Sequence, residues 1–132
     1  MMAIRGLAAA LLVVTSAVRA DPTTADILAA FAAAGLPVAS AGRMQPKDYG
    51  FAPYVCTGER FLIPALGPDN GGRVFVCPNM QDRDALAEYY RGLARVSAAF
   101  FSWVFPVGNS LVQINGDLDE AKAHAYERAI PR

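Results

Sequence analysis

The sequence predicts an α+β domain: an N-terminal helix, then ββαββα, with helices packed on a four-stranded antiparallel sheet. Three observations carry this. Residues 60–66, 73–77, 100–105 and 111–115 hold aromatic and β-branched side chains at a spacing of two. Turn-forming runs, Gly67-Pro68-Asp69-Asn70-Gly71-Gly72 and Pro106-Val107-Gly108-Asn109, join these stretches into two hairpins. After each hairpin come acidic or Asn residues that can start a helix, Asn79 with Asp82 and Asp117 with Glu120.

A chain of 132 residues has room for one ordinary domain. Its first 20 residues read as something else. Residues 1–5 form a short basic region, 6–15 an apolar run, and Val18-Arg19-Ala20 a small-residue cleavage site, the layout of a secretory signal peptide cleaved after Ala20. The expected protein is then exported, to the periplasm or beyond, with no stable membrane span after cleavage. Residues 21–58, a helix and an irregular packed segment, and residues 59–132, the ββαββα core, make one domain. Loss of Arg5 and Arg19 leaves acidic side chains in slight excess and no basic stripe, which argues against nucleic acid as a partner. A domain this small buries only about two-thirds of its unfolded surface, so a covalent staple matters. Cys56 and Cys77 are the two cysteines, and in an exported chain they are expected to form a structural disulfide.

Taken in order, residues 21–35 read as a helix capped by Thr23 with Asp26 three residues on, its apolar face formed by Ile27, Leu28 and Phe31, and ended by Gly35 and Pro37. Residues 36–58 carry Gly and Pro too often for a long element, although Pro46 to Gly50 could make one helical turn. Tyr49, Phe51, Tyr54 and Val55 mark this segment as packed on the domain. Pro64 suggests an edge position or bulge for the first strand. With the turn centred near Asn70, Cys77 should lie opposite about Leu62, and Gly58 should turn the chain so that Cys56 folds over the strand. The helix from about Asn79 to Val96 turns Leu86, Tyr89, Leu93 and Val96 to one side, and the last helix runs to about Ala129. Both faces of the strands read as apolar, so two layers must cover the sheet or one face is a binding surface. The two later helices are expected on one face, the first helix and residues 36–58 on the other.

The runs FLIPALGPDNGGRVFVC, YYRGLARVSAAFFSWVF and GNSLVQINGDL resemble a family of small exported bacterial proteins and lipoproteins, some labelled stress proteins. The resemblance covers roughly residues 25–130 and rests most on the GGR strand and the NGDL helix start. It implies export and a compact α+β domain; it implies no activity, cofactor or catalytic residue. The chain departs from lipoprotein members in lacking a lipidation cysteine, and Cys77 stands where an apolar residue is expected.

No catalytic constellation emerges. Cys56 and Cys77 are too far apart for a C-x-x-C motif, and with one histidine a metal site is not expected. The 67–72 loop could offer N–H groups to an anion but lacks the lysine and hydroxyl of a nucleotide loop, so it reads as a plain turn. Asp69, Asp117, Asp119 and Glu120 fit no calcium-loop spacing. His124 has no nucleophile in a recognisable setting, and Ser102 is not in a G-x-S-x-G elbow. The densest binding-capable set is aromatic: Tyr89, Tyr90, Phe101, Trp103 and Phe105, core residues by spacing or else the wall of a groove for a peptide, an apolar ligand or a second copy of the chain. The expected function is a small exported, non-catalytic binding or interaction module with no cofactor. The alternative is an enzyme using carboxylates near the hairpin loop and the helix starts.

Overall fold

The computed structural model describes Gly6, residues 8–12 and residues 20–132. The predicted signal peptide falls for the most part outside the described residues. The rest is α+β with an antiparallel sheet and three helices, but the sheet has five strands rather than four.

The first helix, α1 (Thr24–Ala33), starts where its caps dictate. The Thr23 hydroxyl accepts from the Asp26 N–H at 3.1 Å, and the Asp26 carboxylate accepts from the Thr23 N–H at 2.9 Å. The additional strand, β1 (Ala39–Arg43), lies inside the segment expected to be irregular. It pairs with β2 (Thr57–Leu62) through a bulge between Ala39 and Gly42, with Ser40 at φ 48°. Short, bulged and mostly exposed, it lacks the alternation that reveals a strand, and it suits a sheet edge. Next come β3 (Gly71–Val76), α2 (Met80–Val96), β4 (Ser102–Val107), β5 (Ser110–Asn115) and α3 (Glu120–Ala129). The spatial order is β1-β2-β3-β5-β4, every pairing antiparallel. Helix α2 therefore carries the chain from β3 over β5 to the far edge, and β5 returns between them.

This crossover decides which helix covers which face. Helices α1 and α3 share one face, where Ile27, Phe31 and Tyr126 pack on Phe61, Val74, Phe105, Val112 and Ile114. Helix α2 covers the other with Leu86, Ala87 and Tyr90, joined by Met44, Tyr49, Ala52 and Cys56, over Phe75 and Leu111. The expected arrangement, with both later helices on one face, is corrected: strand insertion puts α2 and α3 on opposite sides. The helix cap is corrected too. Asp119, not Asp117, caps α3, its carboxylate accepting from the Lys122 N–H at 2.9 Å.

The first hairpin is wider than its sequence suggests. Pro64 opens a single 3-10 turn, Pro64–Leu66, so β2 stops at Leu62, which pairs with Gly71. Thr57 then pairs with Val76, and Cys56 and Cys77 follow as neighbours just past the ladder, bonded as a disulfide with their Cα atoms 4.4 Å apart. The bridge is as expected; the route to it is not. Gly58 makes no turn but sits within β2, where a Cβ would come within 2.8 Å of Met44 Sδ and 2.9 Å of the Phe75 ring. Gly72 serves a similar end on the opposite face: a Cβ there would stand 2.7 Å from the Phe61 ring.

Candidate functional site

Helix α2 covers only part of its face. Against Leu86 and Ala87 the sheet is apolar, with Phe75 on β3 opposite Leu111 on β5. Two residues along each strand, side chains of the same parity turn polar: Arg60 on β2, Arg73 on β3 and Gln113 on β5. The register puts Arg60 directly opposite Arg73, and Arg73 opposite Gln113. Ser102 and Asn115 form a further pair. The expectation of two fully apolar faces is thus corrected. These residues floor a groove of about 340 Å³, walled by the β2–β3 loop at Asp69 and Asn70, by Leu93 of α2, and by Phe100 and Phe101 of the turn that follows α2.

The floor is held in place. Arg73 Nη1 donates to Gln113 Oε1 at 2.9 Å, and Gln113 Nε2 donates to Ser102 Oγ at 2.8 Å. Gln113 is 4% exposed, so both ends of its amide need these partners. The Arg73 guanidinium carbon lies 5.9 Å from the centre of the Tyr90 ring, within cation–π range. Burial raises the pKa of the Tyr90 hydroxyl, and the Arg73 charge draws it partly back. Arg73 Nε is buried without a hydrogen-bond partner, and Arg73 forms no ion pair among the described residues. Arg60 has only Asp48, at 3.9 Å, beyond the 2.7–2.9 Å of a charge-assisted hydrogen bond. Arg60 and Arg73 thus sit opposite one another on adjacent strands, Arg73 turned to Gln113 and Arg60 nearest Asp48. Like charges so placed destabilise a sheet.

The aromatic set singled out from the sequence is divided. Trp103 and Phe105 project to the α1/α3 face, where Phe105 is buried and the Trp103 indole N–H donates to the Leu118 carbonyl at 2.8 Å. Tyr90 is buried on the α2 face, with Tyr89 at its edge. Of the five, only Phe101 lines the groove; it is 42% exposed, and its neighbour Phe100 is 55% exposed. Gly116 lets this turn close against the sheet, since a Cβ there would collide with the Phe101 carbonyl. The 67–72 loop does border the groove through Asp69 to Gly72. Of the four residues expected to pack residues 36–58 on the domain, Tyr49 is buried and its hydroxyl donates to the Cys56 carbonyl at 2.6 Å, whereas Phe51, Tyr54 and Val55 are exposed.

No protein-family model, curated protein or solved structure matches this chain. The site must therefore be read from its own chemistry. Among the described residues, no cluster of three His, Cys, Asp or Glu side chains could hold a metal, and no helix is long and apolar enough to cross a membrane. A second hollow of about 570 Å³ lies beside the disulfide, lined by Met44, Tyr49, Tyr54 and Pro78 among others, but Arg43 is the one charged residue along it. The sequence did signal the groove floor. Arg73 shares the parity of buried Phe75, and Gln113 that of buried Leu111, so each sets a polar side chain in line with a core residue.

Proposed function

We propose that this chain is a small exported, non-catalytic binding module of the bacterial envelope, and that its ligand occupies the groove beyond the covered part of the α2 face. The observation that carries the reading is the Arg60–Arg73–Gln113 row, in which Arg73 Nε is buried without a hydrogen-bond partner and, among the described residues, neither guanidinium has a carboxylate at hydrogen-bond distance. A disulfide in so small a domain supports an oxidising, exported location, as does the resemblance to small exported bacterial proteins. Cleavage after Ala20 is part of the same proposal.

An enzyme is the second reading, and one observation favours it: Asp69 and Asp117 stand on the rim of the same groove. Both are exposed on loops rather than enclosed with a substrate. One experiment addresses both readings. Small-molecule fragments of mixed charge are titrated into the ¹⁵N-labelled protein while the amide spectrum and the fragments' own signals are followed. Amide shifts should cluster at Arg60, Arg73, Gln113 and Gly116, with every fragment unchanged. Shifts confined to the neighbourhood of Phe51 and Tyr54, or none at all, would remove the groove from consideration. Chemical conversion of a fragment would favour the enzyme.

A further inference from the structure

The groove's charges and walls define a ligand class. The inference rests on the binding reading above and goes further: we infer that the groove takes a small organic monocarboxylate with an apolar body, its carboxylate between Arg60 and Arg73 and its body against Leu93, Phe100 and Phe101.

Five features of the groove argue for this. The Arg60–Arg73 pair is a cross-strand juxtaposition of like charge, and an oxyanion lying between two guanidinium groups turns that repulsion into two charge-assisted contacts. Gln113 holds one Arg73 nitrogen from the side, and Tyr90 lies within cation–π range of the group, so the guanidinium is oriented before a ligand arrives. Asp69 and Asp117 on the rim balance the two arginines in formal charge and would repel a phosphate or other multiply charged anion more than a single carboxylate. The remaining wall is apolar and unusually exposed: Phe100 and Phe101 present large side chains to solvent beside Leu93, the arrangement that shelters an aliphatic or aromatic body. A volume of about 340 Å³ accommodates a compact molecule rather than a folded partner.

The test uses four probes that share a phenyl body and differ in their head group: 3-phenylpropionate, 3-phenylpropanol, 3-phenylpropylamine and phenyl phosphate. Each is titrated into the ¹⁵N-labelled protein. The carboxylate should shift the amides of Arg60, Arg73 and Gln113 and bind at least tenfold more tightly than the other three, and its affinity should fall as salt is raised. Arg60→Gln should weaken it about tenfold, and Arg73→Lys, which keeps the charge but loses the fork, severalfold. Arg60 is an exposed residue, so its variant keeps the fold, and the dispersion of its spectrum verifies this. If the alcohol or the amine binds the same amides as well as the acid, the groove is a binding site but the carboxylate inference is wrong. Tighter binding of phenyl phosphate also overturns it. If no probe moves these amides, the binding reading itself fails.

Discussion

Tyr126 gives the plainest instance of one residue linking fold to solution behaviour. It is 1% exposed, packs edge-on to Phe31 at 5.0 Å between ring centres, and donates its hydroxyl to the Pro37 carbonyl. Burial pushes its pKa up to about 12, from 10.0. Burial likewise raises Tyr90 and Tyr49. A folded-state pKa above the unfolded value means that the folded form keeps a proton the unfolded chain gives up. The stabilisation is therefore complete below pH 10 and is lost as pH rises from 10 through 12. Tyr126, whose pKa is raised to about 12, contributes to that loss. Urea unfolding midpoints recorded at pH 9, 11 and 12 should fall steadily, and Tyr126→Phe should flatten much of the fall. A midpoint unchanged across that range would contradict the sealed position of this hydroxyl. Arg73 is the opposite kind of residue, buried in part with its Nε unpartnered.

Among elements, those with strong local signals were legible. Thr23 and Asp26 announced α1, Asn79 announced α2, and the alternation of Val and Phe announced β3, because each depends on neighbours within one or two turns. Strand β1 was not legible: Ala-Ser-Ala-Gly-Arg has neither β-branched residues nor a buried face, and pairing with β2 alone makes it a strand. The hairpin register was missed because the Pro64–Leu66 turn lengthens the loop, an effect the Gly-rich run concealed. Side-chain parity held the groove floor in plain view, but its meaning needed the tertiary arrangement, in which Tyr90 and Leu93 of α2 flank the row while Arg60 stays exposed. The disulfide ties the β1–β2 connection to the end of β3, closing a loop of sequence separation 21. Opening it should cost about 3 kcal/mol in the chain-entropy model. Protein recovered from a periplasmic extract should have the mass of residues 21–132 with the bridge intact, and dithiothreitol should lower its melting temperature by several degrees or more. Two freely alkylated thiols in that sample, or a melting temperature indifferent to reductant, would contradict the stapled segment.

At the scale of the whole molecule, two layers of helix flank one sheet and cover its faces unequally. The α1/α3 face is sealed by aromatic packing from Phe31 to Tyr126. The α2 face is sealed at one end only, and its open end carries two arginines, a glutamine and a serine where the packing pattern calls for apolar residues. On the proposed function, this polar row serves binding rather than folding. Replacing both members of a buried polar pair by apolar groups of similar shape is nearly neutral or stabilising, unless the pair supports the fold. The double variant Arg73→Met/Gln113→Leu removes donor and acceptor together and leaves Ser102, which is only half-buried, within reach of solvent. Its melting temperature, measured beside the parent protein, is the most direct test. The variant should melt at or above the parent's temperature; a fall of more than about 4 °C, roughly 1 kcal/mol in a domain of this size, would show that the row is structural and contradict the assignment of the groove.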